Sequence, residues 1–121
     1  MGSLSTSSKV PHLSAPLQMG DLTLRNRNAM SSLTRSRSAP DTVPNKYNVE
    51  YYAQRAKGGA GLIFSEGALI APQGTEWPYA PGIWSEEQVG GWRNVTDAVH
   101  AAGSLIFCQV SISKTNRRDI C

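Results

Sequence analysis

The chain has 121 residues, of which 40% are hydrophobic and 17% charged, and its formal net charge is +3 at pH 7. A chain of this length can bury one core, but a complete (β/α)8 barrel takes roughly 250 residues, so a barrel pattern here describes part of a barrel. The sequence holds 2 cysteines and no clustered Cys and His spacing, which excludes a disulfide framework and predicts no metal site. No apolar run is long enough to cross a membrane, so we expect a cytoplasmic protein without a membrane partner.

The first elements predicted along the chain are a leader and a hairpin. Residues 1–15 are rich in serine and lack apolar periodicity, which predicts a disordered leader. Apolar and polar residues then alternate over 17–24 on both sides of Gly20-Asp21, which predicts a β-hairpin with Gly20 at a positive φ. A weaker strand is predicted over 28–34, and a polar loop follows to residue 46.

The first helix is predicted after this loop, with Asn48 as its cap. Its apolar positions recur at helical spacing and include Tyr52 and Ala56, and Gly58-Gly59 ends the pattern. The run of apolar residues at 62–64 then predicts a strand that is covered on both faces.

A second helix is predicted from Ser85, where Gln88 can complete a capping box, to Gly103. Its apolar stripe begins at Val89 and continues through Trp92, and a second buried strand is predicted over 105–110. This alternation of strands and helices predicts an α/β fold with parallel strands over residues 16–110, followed by a polar, basic tail at 111–121 of unrelated character.

Ligands of parallel α/β folds collect at the carboxyl ends of the strands, which here are Leu33-Thr34, Glu66-Gly67 and Gln109. Thr34 offers a hydroxyl group, Gly67 permits close approach of a flat ligand, and Gln109 offers an amide that matches the donor and acceptor edge of a pyrimidine-like ring. Strand parity places Gln109 on the same side as Leu105 and Phe107, which we expect to be the barrel interior. Each of these residues could equally be an ordinary turn or cap residue.

Several motifs occur in order and register and resemble the N-terminal part of the old yellow enzymes, a family of FMN-dependent NAD(P)H dehydrogenases and ene reductases built on a TIM barrel. The motifs are GDLTLRNR at 20–27, LTRSR at 33–37, EYYAQRA at 50–56, SEG at 65–67, PQG at 72–74, APGIWSEEQ at 80–88 and FCQ at 107–109.

The resemblance implies the N-terminal part of a (β/α)8 barrel, preceded by a β-hairpin and truncated after the third strand. It also implies hydride transfer from NAD(P)H through FMN to a small, activated alkene of the enone type. Thr34 would hydrogen-bond the flavin C4 carbonyl, and Gln109 would hold the pyrimidine edge. Ser32, Leu33 and Gly67 would line the flavin, and Trp77 would belong to a loop near the substrate mouth.

The sequence departs from the family pattern at Ser31-Ser32, where Pro or Ala is usual before Leu-Thr, and again after Gln109. The family's substrate-binding His with its Asn or His partner, its proton-donating Tyr and its phosphate grip correspond to no residue of this chain. We therefore expect an inactive, marginally stable chain that binds FMN weakly or not at all. The alternative is a non-enzymatic interaction or regulatory module that pairs with itself or a relative through open sheet edges, and a nucleic-acid partner is not expected.

Overall fold

The structure is a computed structural model that describes residues 10–39, 41–72 and 78–112. Its helices are α1 (Pro11–Ser14), α2 (Lys46–Lys57) and α3 (Glu86–Ala101). Its strands are β1 (Leu17–Met19), β2 (Leu22–Leu24), β3 (Ala29–Met30), β4 (Leu62–Phe64), β5 (Ala68–Leu69), β6 (Leu105–Phe107) and β7 (Val110–Ser111). None of the helices in the described ranges is both long and apolar enough to cross a membrane.

The N-terminal segment forms the predicted hairpin and one short helix that was not predicted. Strands β1 and β2 pair antiparallel, and Gly20 adopts a φ of 58° in the turn between them. Residues 1–9 of the leader lie outside the described residues. Helix α1 lies within its last part, and the Leu13 carbonyl accepts a hydrogen bond from the Arg27 N–H at 2.9 Å, so this end of the leader is tied to the chain after the hairpin.

The central sheet has three parallel strands in the order β3-β4-β6. The register aligns Ala29 with Leu62 and Leu62 with Leu105. Within this sheet, the strands therefore lie side by side in chain order. Helix α2 connects β3 to β4, and α3 lies in the connection from β4 to β6. Sequential parallel strands with intervening helices are the arrangement of a βα-barrel wall, and the predicted fold class is confirmed as an open part of one.

Both long helices pack on one face of this sheet. The buried core joins Tyr52 and Ala56 of α2, Ile63 of β4, and Trp92 and Val95 of α3. Side chains alternate across a strand, so Ile63 points toward the helices and Phe64 toward the opposite face. There the rings of Phe64 and Phe107 meet edge to face with centroids 6.0 Å apart.

Helix starts were predicted correctly for α3 and one turn too late for α2. Ser85 and Gln88 form the expected capping box at the start of α3. In α2 the cap is Asn45, whose side chain accepts from the N–H of Tyr47, while Asn48 bonds back to the Asn45 N–H from inside the helix. Asn45 and Asn48 are both residues that can cap a helix. In the observed capping box Asn45 is the N-cap residue and Asn48 occupies the N3 position.

Three other local predictions were wrong. The strand predicted over 28–34 is formed only at Ala29–Met30, because the backbone that follows bonds to a side chain of the neighbouring segment. The strand predicted over 105–110 ends at Phe107 and is only partly buried, with Phe107 37% exposed. Val89, placed on the buried stripe of α3, is exposed, and the short parallel pair β5-β7 was not foreseen.

The amino ends of the strands are held together by Arg25, which follows the hairpin. Its guanidinium group donates hydrogen bonds to the carbonyl of Ala56 in the last turn of α2, to the carbonyls of Ala60 after α2 and Ala102 after α3, and to Ser104 Oγ. Carbonyls at helix C-termini lack partners within the helix and carry partial negative charge. One side chain therefore joins the hairpin to the ends of both helices.

Candidate functional site

The segments that contain Thr34, Gly67 and Gln109 leave the sheet at the same edge. They follow β3, β4 and β6, whose parallel alignment fixes where each strand ends. The sequence predicted this convergence, because the carboxyl ends of parallel strands share one edge of a sheet.

Backbone hydrogen bonds join the Gly67 and Gln109 segments. The N–H of Ala68 donates to the carbonyl of Gln109 at 2.8 Å, and the N–H of Gln109 donates to Ser65 Oγ at 3.0 Å. A Cβ at Gly67 would lie 3.2 Å from the Cβ of Ser111. The two segments thus run side by side, with little room for a side chain at Gly67.

The buried carboxylate of Glu66 joins the Thr34 segment to the same edge. Its Oε2 atom accepts from the N–H of Arg35 at 2.9 Å and from the N–H of Ser36 at 3.2 Å. Its Oε1 atom accepts from Asn48 Nδ2 at 3.3 Å. Ser36 has a φ of 52°, an uncommon value for a residue other than glycine, and the Glu66 carboxylate holds it there.

Tyr52 fixes the backbone of Glu66. The N–H of Glu66 donates to the Tyr52 hydroxyl oxygen at 2.7 Å, and the Tyr52 side chain is fully buried. Burial raises the pKa of Tyr52 well above its ordinary value, because the phenolate is poorly solvated in the core. The neutral hydroxyl group therefore remains a fixed acceptor for Glu66 at physiological pH.

Cys108 lies between Phe107 and Gln109, and its thiol is expected to have low reactivity. Cys108 is exposed, yet partial desolvation raises the pKa of its thiol, and a hydrogen bond with Ser65 partly offsets this effect. The reactive form of cysteine is the thiolate, so a raised pKa argues against a nucleophilic role at neutral pH.

The remaining predicted site residues line this edge with exposed polar and apolar groups. Leu33 is 54% exposed, Ser32 is half-buried, and the side chains of Thr34 and Gln109 are exposed. Within the described part of the chain, neither the Thr34 hydroxyl group nor the Gln109 side-chain amide has a hydrogen-bond partner. Unpaired polar groups beside a glycine and an exposed leucine fit one edge of a flat, polar ring such as isoalloxazine. Trp77 lies outside the described residues.

The contacts of Glu66 with Asn48 and Tyr52 were not predicted from the sequence. The available signal was a carboxylate placed directly after a fully apolar strand, since a buried charge must find several donors. The donors that bind the Glu66 carboxylate include the N–H groups of the loop at 35–36, and the sequence pattern does not specify the path of this loop.

Comparison with known proteins shows relatives over almost the whole chain. The family model described as NADH:flavin oxidoreductase / NADH oxidase matches residues 12–117, and so extends into the segment 111–121 expected to be unrelated. The flavin oxidoreductase hxnT of Emericella nidulans is 45% identical over 114 residues, which cover 91% of this chain and 28% of that protein. The NADP-dependent oxidoreductase lnbE of Aspergillus flavus is 45% identical over 98 residues, 81% of this chain and 26% of that protein.

Among solved structures, the old yellow enzyme homologue from Zymomonas mobilis superimposes with a TM-score of 0.77 at 52% identity, covering 83% of this chain and 28% of that one. The chain therefore spans little more than a quarter of the length of these relatives. The match over residues 12–117 nevertheless shows that this chain belongs to the NADH:flavin oxidoreductase / NADH oxidase family, which includes the FMN-dependent old yellow enzymes.

Proposed function

We propose that this chain supplies one side of an FMN site in an oxidoreductase of the old yellow enzyme type. The observation that carries the proposal is the shared edge of three parallel strands, where Thr34, Gly67 and Gln109 are joined through Glu66 and the 65–68 backbone. When bound, FMN supplies hydride transfer from NAD(P)H to an activated, enone-type alkene.

Each residue of this edge has a role that its chemistry suits. The Thr34 hydroxyl group would donate a hydrogen bond to the flavin C4 carbonyl, where a donor would stabilise negative charge on the reduced ring. The Gln109 amide would pair with the pyrimidine edge, and Gly67 would let the backbone approach the ring. Ser32 and Leu33 would contact the ring from the β3 side.

We further propose that the 121 residues alone do not retain FMN and do not reduce alkenes. The contacts proposed for Thr34, Gly67 and Gln109 involve only one edge of the ring, and none of these three residues is proposed to bind the phosphate of FMN. A site that grips its ligand from one side loses most of the burial that gives tight binding. The second candidate function is a non-enzymatic module, favoured by the unpaired outer edges of β3 and β6 in the described sheet.

Riboflavin tests the site, because it carries the isoalloxazine ring without a phosphate. We expect riboflavin titrated into the 15N-labelled chain to shift the backbone amide signals of Thr34, Gly67 and Gln109, while those of Thr23 in the hairpin stay unchanged. Thr34→Ala should weaken the shifts, and the matched Thr23→Ala should not. The absence of shifts at all three positions up to the solubility limit would refute the site.

Two further measurements test inactivity and the alternative function. Gel filtration after incubation with FMN should yield colourless protein, and NADPH consumption with cyclohexenone should equal that of buffer with free FMN. A yellow protein peak would overturn the proposed weak retention. Sedimentation that shows a stable dimer, with no riboflavin shifts, would favour the non-enzymatic module instead.

A further inference from the structure

A cavity of about 300 Å³ lies between the loop after Thr34 and helix α2. Its lining includes three arginines, Arg35, Arg37 and Arg55, together with Tyr47, Tyr51 and Glu66. None of these arginines has a role in the proposed flavin site. The cavity is therefore considered as a separate binding site.

The ring of Tyr51 brings two of the arginines together. The Cζ atom of Arg35 lies 4.2 Å from the ring centroid, and the Cζ atom of Arg55 lies 3.9 Å from it. The two cationic carbons are therefore at most about 8 Å apart, and each is held by attraction to the aromatic face. This places two like charges close together beside a partly enclosed space.

The nearby carboxylates do not neutralise these charges by direct contact. Among the described residues, no carboxylate lies within ion-pair distance of the guanidinium groups of Arg35, Arg37 or Arg55. Glu66 is 1% exposed, and its oxygens accept from backbone N–H groups and from an amide. Glu50, on the cavity wall, accepts from Gln54 Nε2 at 3.3 Å.

The loop that carries two of the arginines is held in a fixed, uncommon conformation. Ser36, between Arg35 and Arg37, has a φ of 52°, and the N–H groups of Arg35 and Ser36 are both bound by the Glu66 carboxylate. Both Arg35 and Arg37 line the cavity as a result. A binding site gains affinity when its donors are ordered before the ligand arrives.

We propose that this cavity is an oxyanion site that takes a phosphate or carboxylate group. A guanidinium group binds either group through paired N–H donors, and the Tyr47 and Tyr51 hydroxyl groups can supply further donors. An anion bound beside the arginines would also offset their mutual repulsion, which no described acidic side chain relieves by contact. The proposal is independent of the flavin site, since it concerns other side chains and a different ligand.

Inorganic phosphate and acetate are the probes, each compared with sodium chloride at equal ionic strength and constant pH. We expect saturable shifts of the Nε–H signals of Arg35, Arg37 and Arg55 with phosphate or acetate but not with chloride, and the more effective anion identifies the group preferred. Arg37→Gln should weaken binding roughly tenfold, the loss expected for a charge-assisted hydrogen bond. Arg93→Gln, which removes the same charge from the exposed side of α3, should leave binding unchanged.

Equal, non-saturating shifts with all three salts would overturn the proposal, as would equal weakening by Arg37→Gln and Arg93→Gln. Circular dichroism of each variant shows whether helix content is kept, and Arg55→Gln provides a second variant if Arg37→Gln unfolds. Because the riboflavin titration contains no phosphate, failure of the flavin site and failure of the oxyanion site give different results.

Discussion

The Oε2 atom of Glu66 accepts a hydrogen bond from the backbone N–H of Arg35 at 2.9 Å, so a side chain that follows β4 fixes the loop that follows β3. Tyr52 and Asn48 of α2 hold the same glutamate from the helix layer. The position of Thr34 at the strand-end surface thus depends on residues that never reach that surface.

Removing the Glu66 charge should loosen this loop. We expect Glu66→Gln to lower the free energy of unfolding by about 1–3 kcal/mol, because the partly buried N–H groups of Arg35 and Ser36 lose their charged acceptor. Urea denaturation gives the free energy, and hydrogen exchange of the Arg35 and Ser36 amides reports the loop. Asp97→Asn on α3 is the matched control and should change neither value, whereas unchanged exchange in Glu66→Gln would contradict the assigned contacts.

Ionisation of Tyr52 should destabilise the chain in alkali. The pKa of Tyr52 is raised in the folded state, so its contribution is complete below the unfolded pKa of about 10 and is lost as the pH rises beyond that value. We expect the midpoint of urea denaturation to fall steeply above about pH 10.

The variant Tyr52→Phe separates this ionisation from other alkaline effects. It should be less stable than the parent chain at pH 7 by about 1–3 kcal/mol, because the Glu66 N–H loses its buried acceptor. Its stability should then decline less steeply than that of the parent chain at alkaline pH. Parallel pH profiles for the two proteins would show that Tyr52 is not responsible.

The Arg25 contacts require a forked cation, which lysine cannot replace. We expect Arg25→Lys to lower the free energy of unfolding by about 1 kcal/mol, because several hydrogen bonds to carbonyls at the ends of α2 and α3 are lost while the charge is kept, and the exposure of Arg25 limits their strength. Arg27→Lys is the control and should be nearly neutral, because Arg27 is also exposed and among the described residues only its backbone N–H forms a hydrogen bond, to Leu13. Equal stability of the two variants in urea denaturation would argue against the observed contacts.

Substitution of alanine for glycine should have opposite effects on stability at Gly61 and at Gly90. A Cβ at Gly61 would lie 2.5 Å from the Asn26 carbonyl oxygen, so Gly61→Ala should destabilise by more than about 1 kcal/mol. A Cβ at Gly90 would contact nothing within 4 Å, and alanine is the better helix former, so Gly90→Ala in α3 should stabilise by about 0.5–1 kcal/mol. Thermal denaturation of both variants checks the pair, and destabilisation by both would contradict it.

The parts of the fold with strong local signals were predictable from sequence. The Ser85 and Gln88 capping box, the Gly20 turn and the parallel order of the sheet all depend on neighbouring residues or on strand and helix alternation. The common edge of Thr34, Gly67 and Gln109 followed from that alternation alone.

The features that escaped prediction depend on contacts between distant segments. Asn48 was assigned as a cap because its local sequence suits one, yet it is buried and donates to Glu66. The strand at 28–34 stops early because Glu66 provides a competing acceptor for the loop amides. Local propensity contains no information on such partners, which only the tertiary fold supplies.

The register of the central sheet restricts how the length of this polypeptide can change. Ile63 lies between Met30 and Ile106, and all three contact the helix layer. Inserting or deleting one residue within any of these strands would turn its apolar side chains to the opposite face. Variation in length among natural relatives should therefore be confined to the connections between elements, while β3, β4 and β6 keep their spacing.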